Sequence, residues 1–169
     1  MSHLREAIDS IQKSSDSIVM IAKKLPEETI QWKPAPEVWS IHEILCHVEE
    51  LLPYWSDEIR RVASTPGVEW GRGHANEARL AAVAASPTRN SKDVIAGVEK
   101  VTQHSVGVLN SLREEDLAIE SPSRNPRFGV KPMSFVLNHL LVKHMRDHLG
   151  QIQRNLDQLA AAAVESGKK

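Results

Sequence analysis

Only one cysteine, Cys46, stands in this chain of 169 residues. No intrachain disulfide can form, and no zinc site built from several thiolates is available. No apolar run approaches the ~20 residues that a membrane-spanning helix needs. Residues 1–24 mix polar and apolar side chains and lack the apolar core of a secretory signal. Neither sign of charge dominates: 21 Lys and Arg face 22 Asp and Glu, a formal net charge of -1. That balance gives no global attraction to nucleic acid or to an anionic membrane. These absences lead to the expectation of a soluble protein of the cytoplasm. The length fits one domain spanning 1–169.

What is present is histidine: eight, against seven aromatic residues in all. Their setting follows from the order of helices. Ser2 can cap a first helix to about Lys24, with Leu4, Ile8, Ile11, Ile18 and Ile21 on its apolar face and a polar break expected around Ser14-Ser15. Pro26, Pro34 and Pro36 mark a connector, which Trp32 and Trp39 are expected to pin to the bundle. Ser40 and Glu43 form a capping-box pattern opening a second helix to about Ala63, with Pro53 inside it as an expected kink. An alanine-rich short helix is expected over 76–85, and a third long helix from a Ser91 cap to about Leu112. Residues 113–132 read as a long polar loop, and a last helix runs from Met133 to about Val164, with the end at 167–169 frayed. Four long amphipathic segments with little β-patterning predict an all-α antiparallel four-helix bundle with an extra short helix.

In the last helix Leu137, Leu141, Met145, Leu149, Ile152 and Leu156 recur at helical spacing, and His144 and His148 border that stripe. Two positions four apart differ by only ~40° around a helix and by about 6 Å along it. Two such imidazoles can hold one metal ion if a third ligand comes from elsewhere. His47, at the edge of the buried face of the second helix, is the best third ligand. The spacing alone is equally compatible with hydrogen-bonded structural histidines. His3, His42, His74, His104 and His139 read as surface or loop residues, and Tyr54 and Trp55 as core.

Three tempting patterns fail. His42-Glu43-Ile44-Leu45-Cys46-His47 has one residue too many for the zinc-protease H-E-x-x-H, and a five-residue step turns about 140°. A di-iron carboxylate bundle needs Glu-x-x-His repeats that are absent. Gly71-Arg72-Gly73 lacks the strand-turn-helix setting of a nucleotide-binding loop. Arg124, Arg127 and Lys131 form a small basic cluster, and the two arginines are weak candidates for binding an anionic substrate.

Four passages together resemble the DinB/YfiT-like family of metalloenzymes: 39–44 opening into His47, 109–117, the segment before Pro132-Met133-Ser134, and 144–152. The family pattern of one histidine early in the second helix and H-x-x-x-H in the last falls on His47, His144 and His148. The resemblance implies a four-helix bundle, often a homodimer, with a divalent transition metal, zinc or nickel foremost. It also implies chemistry ranging from thiol S-transfer with low-molecular-weight thiols to isomerisation and hydrolysis. The expected mechanism is a three-histidine centre that activates water or such a thiol against an electrophilic small molecule. Glu43, Glu50 and Gln151 are the candidates for orienting the ligands or moving protons. The competing reading is a non-catalytic metal- or ligand-binding bundle of the stress response.

Overall fold

The computed structural model describes residues 2–73 and 77–167. The long helices are α1 (His3–Lys24), α3 (Ile41–Ser64), α5 (Ser91–Asn110) and a last helix in three stretches. That helix opens as α6 (Met133–Phe135), continues as a π-helical segment (Val136–Val142) and ends as α7 (Lys143–Gly167). Short helices α2 (Glu27–Gln31) and α4 (Glu77–Ala84) lie in the connections. The chain is a four-helix bundle with only a small two-stranded hairpin besides, as the apolar periodicity of its long segments predicts.

Contacts between side chains fix how the helices run. α5 packs on both α1 and α3, and the π segment and α7 pack on the same two helices. Ser56 Oγ to Ser105 Oγ (3.1 Å) and His42 Nδ1 to Ser91 Oγ (3.2 Å) share one sequence offset, so α3 and α5 run parallel. The Ser15–Thr102 hydroxyl pair (2.6 Å) and the Lys23–Glu99 ion pair show α1 antiparallel to α5. Asn155 Nδ2 donates to the Trp39 carbonyl (2.9 Å) while His148 meets His47, so α7 is antiparallel to α3. Bringing α5 back parallel to α3 requires the long crossover between them. That crossover passes Trp70 and α4 over the side of α3.

Several local expectations change. α1 runs unbroken through Ser14 and Ser15, because both are buried and Ser15 bonds Thr102 across the helix interface. α3 passes through Pro53 as α-helix. Asn90, not Ser91, caps α5 through Lys92 N–H, because Ser91 is buried and its hydroxyl donates to Glu27 (2.7 Å). Residues 113–132 are not simply a polar loop. They hold a 3₁₀ turn (Glu114–Ala118) and an antiparallel hairpin of β1 (Glu120–Pro122) and β2 (Val130–Pro132). Trp70 extends that hairpin: its N–H donates to Pro122 O (2.9 Å) and its indole N–H to Ser121 O (2.8 Å). The expected start of the short helix at Asn76, His74 and the last two lysines lie outside the described residues.

Candidate metal centre

His47 faces the interior because the start of α3 is fixed. Ser40 Oγ accepts the Glu43 N–H (3.1 Å) and Glu43 Oε1 accepts the Ser40 N–H (3.0 Å), closing the capping box. Trp39, held by Asn155 of α7, packs edge-on against the His47 ring with centroids 5.2 Å apart. Around this end α3 is covered on nearly all sides, and Ile41, His42, Ile44, Leu45, Cys46, His47 and Val48 are all buried.

Opposite His47, the buried register of the last helix is Leu137, Leu141, Met145, His148, Ile152 and Asn155. His148 therefore lies within the apolar stripe rather than at its edge, and His144, one turn before it, is half-buried. The two rings stack at 4.7 Å, and His47 meets them edge-on at 5.5 Å and 4.8 Å between centroids. One ring nitrogen from each histidine lies within 4.8 Å of the other two. The three nitrogens are near enough to one another to hold a single ion between them. The Nδ1–H of His148 donates to Gln151 Oε1 (3.1 Å), which leaves Nε2 as the basic nitrogen of that ring. Neutral imidazole donors of this kind suit zinc, nickel, copper or iron. The donor chemistry and the convergence fit one divalent transition metal.

His47 and His144 of the cluster line a cleft of about 310 Å³, whose lining also includes Glu50, Trp55, Arg72 and Phe128. This is the small end of the range for small-molecule sites. Arg72 lies with its Cζ 3.5 Å above the Tyr54 ring centre and pairs with Glu50 Oε1. The neighbouring backbone is braced from two sides. Gly71 N–H donates to Glu58 Oε2 (2.7 Å), and Gly71 O accepts from Arg124 Nη1 (2.9 Å). Gly71 has φ +84°, a conformation that favours glycine. Burial pushes the Glu58 carboxyl up, but hydrogen bonds from Arg61 and Gly71, with the Arg61 and Arg124 charges, hold it below the usual range.

The sequence candidates separate accordingly. His47, His144 and His148 come together, Gln151 bonds His148, and Glu50 lines the cleft. Glu43 is engaged by the cap and by Lys33 (3.1 Å) and does not line the cleft. Arg124 and Arg127 do not line it either: Arg124 braces Gly71, and Arg127 is exposed. Asn125 and Phe128 from the same turn line it instead. Trp55, read as core, is a cleft wall, and Tyr54 is the platform under Arg72. His42, read as a surface residue, is buried at 1% exposure, with Nε2 on Ser86 O (2.8 Å) and Nδ1 on Ser91 Oγ. His3, His104 and His139 are exposed, as expected. Cys46 is buried beside His42 in α3, and burial pushes its thiol up to about 11, far from a reactive thiolate. Sequence reasoning missed Arg72; its only signal is an arginine set between two glycines in a loop.

Fold and site together define a four-helix bundle whose facing helices bring three histidines together beside a small cleft. The chain belongs to the DinB superfamily, whose family model matches residues 11–152. Among solved structures, YfiT from Bacillus subtilis, described as a probable metal-dependent hydrolase with an unusual four-helix bundle topology, superposes with a TM-score of 0.78. The identity is 10%, over 95% of this chain and 90% of that one. A mycothiol-dependent maleylpyruvate isomerase gives a TM-score of 0.70 at 15% identity over 88% of this chain and 60% of its own. A DinB-like Bacillus subtilis protein, YjoA, gives 0.64 at 15% identity, with 92% of each chain covered. At these identities the likeness is one of fold. No curated protein sequence matches the chain.

Proposed function

We propose that the protein is a metal-dependent enzyme in which His47, His144 and His148 hold one divalent transition metal, zinc or nickel. In this reading the adjoining cleft brings water or a low-molecular-weight thiol to an electrophilic small molecule, in a transfer or hydrolysis reaction. The carrying observation is the convergence of three imidazole nitrogens within 4.8 Å at the wall of the cleft. The description of YfiT as a probable metal-dependent hydrolase, and of the isomerase as mycothiol-dependent, supports the same reading.

When bound, the metal supplies Lewis acidity that lowers the pKa of water or a thiol. The chain does the rest. Gln151 fixes the His148 tautomer and Trp39 holds the His47 ring. Glu50 stands three residues after His47; its Oε1 is held by Arg72, and its buried Oε2 has no hydrogen-bond partner among the described residues. That oxygen is the proton acceptor for the incoming nucleophile. Leu51, Trp55 and Leu140 give the cleft apolar walls that limit water.

The protein is expected to act as a cytoplasmic homodimer without nucleic-acid or membrane partners. Among the described residues no helix is long and apolar enough to cross a membrane, and α1 exposes Met20 by 54%. The test is elemental analysis of protein purified without a metal-affinity tag. Close to one equivalent of metal is expected, with most of it lost on replacing any one of the three histidines by Ala. Wild-type metal content in a His144→Ala, His148→Ala double variant would end the proposal. Turnover of a model electrophile with a thiol or water then tests catalysis.

A further inference from the structure

The buried side chains of α7 are Met145, His148, Ile152 and Asn155, and Asn155 is only 4% exposed. A leucine would continue the apolar stripe there, and asparagine is a poor residue for a helix interior. A buried amide needs partners, and this one finds its partner on another element. Asn155 Nδ2 donates to the Trp39 carbonyl (2.9 Å), 116 residues away in sequence.

That carbonyl stands in need of a donor. The hydrogen-bond ladder of α3 begins one residue later, where Ser40 O accepts the Ile44 N–H (3.0 Å). Trp39 O is therefore the last carbonyl before the ladder, and its partner must come from outside the helix. The indole of the same residue packs edge-on against His47, with centroids 5.2 Å apart. Trp39 thus takes a hydrogen bond from α7 through its backbone and meets His47 through its ring.

α7 and the start of α3 are joined at two points. His148 meets His47 at 4.8 Å between centroids, and Asn155 meets Trp39 seven residues further on. Those seven residues span ~10.5 Å of helix. Apolar contacts between the helices are non-directional, whereas a hydrogen bond weakens steeply once its partners shift. Sliding α7 along α3 by one residue, ~1.5 Å, would break the bond to Trp39. Metal–donor distances are held to about 0.2 Å, so donors carried on two helices need a fixed register between them.

We infer that Asn155 is a positioning residue of the three-histidine centre. By holding Trp39 it fixes the His47 ring against His144 and His148 of its own helix. The consequence for metal rests on the reading proposed above, and the linkage from Asn155 through Trp39 to His47 is a property of the polypeptide itself.

Two measurements on Asn155→Leu test this, since leucine keeps the bulk and the stripe but has no donor. The first is zinc affinity by competition with a chromogenic chelator. It should fall about tenfold, the lower end of what outer partners of metal ligands contribute. Trp39→Leu should cost as much, and the double variant little more than either alone, because the two residues act in series. The second is the chemical shift of the His47 ring protons in metal-free protein, which the Trp39 ring current displaces. It should move in Asn155→Leu. His42→Ala lowers stability from outside the centre and should change neither readout, which separates positioning from loss of stability. If circular dichroism shows Asn155→Leu unfolded, Asn155→Ala takes its place with the same expectations. Wild-type zinc affinity in the folded variant overturns the inference. Fully additive losses in the double variant overturn it too, as does an unmoved His47 shift. If wild type takes up no zinc, the metal reading falls, and the His47 shift alone decides the positioning role.

Discussion

Replacing Gln151 by Ala isolates the contribution of one hydrogen bond to the proposed metal centre. Gln151 Oε1 lies 3.1 Å from His148 Nδ1 and holds that proton, so the ring presents Nε2 as its basic nitrogen. Without the acceptor, His148 must select its tautomer unaided and regain rotational freedom about its side-chain torsions. Losses of outer partners of this kind cost about 10–100-fold in metal affinity. At free zinc equal to a hundred times the wild-type Kd, bound metal adds about 2.7 kcal/mol to the folded state, and a tenfold weaker site gives back about 1.3 kcal/mol of it. For a domain of this size, about 2–4 °C per kcal/mol corresponds to a Tm roughly 3–5 °C lower in zinc. The metal-free Tm should move much less, because Gln151 is half-buried and its partner is the histidine itself. Gln151→Glu supplies a stronger acceptor and should tighten zinc. The assays are competition with a chromogenic chelator and paired thermal melts with zinc and with EDTA. An unchanged zinc affinity in Gln151→Ala, with normal stoichiometry, would refute the assignment of His148 as a ligand through Nε2.

His42→Ala should leave metal content at wild type but lower stability by about 2–3 kcal/mol, because buried groups on Ser86 and Ser91 lose their partner; metal loss in a folded variant would contradict the separation of His42 from the site. Glu58 has its folded pKa lowered from 4.5, so its stabilisation is complete above that value and is gone once pH has fallen through the lower folded value. Glu58→Gln should therefore be less stable than wild type at neutral pH and show a flatter acid limb in pH-dependent urea melts; parallel curves would show that Glu58 does not carry this linkage. Sedimentation at micromolar concentration is expected to give twice 18.8 kDa, and a monomer would count against the dimer.

The bundle was legible because apolar residues on each long helix keep the helical period, and the α3 cap because Ser40 and Glu43 stand at capping-box spacing. The H-x-x-x-H step put His144 and His148 on adjoining positions of one helix, which the backbone preserves. His42 was misread for a physical reason. The start of α3 is surrounded by α5, α7 and the crossover, so a residue on its polar side is buried too. The hairpin left no alternation to read, since each strand is three residues long. Arg72 is held by Tyr54 and Glu50, beside the braced Gly71, through contacts made between distant parts of the chain. Local pattern cannot carry such a residue.

The π-helical stretch Val136–Val142, where Lys143 N–H reaches back to the Asn138 carbonyl, sets the rotational phase of everything after it. A π turn amounts to one residue inserted into an α-helix and kept, and one residue is worth about 100° of rotation. Deleting a single codon from this stretch would let it relax to α-helix with Met133 to Phe135 still seated. Both imidazoles would then keep their neighbours, their spacing and their chemistry. Yet they would swing together through roughly a quarter turn relative to the preceding helix, away from His47. The facing of this centre is thus written into the pitch of a segment that contributes no ligand to it.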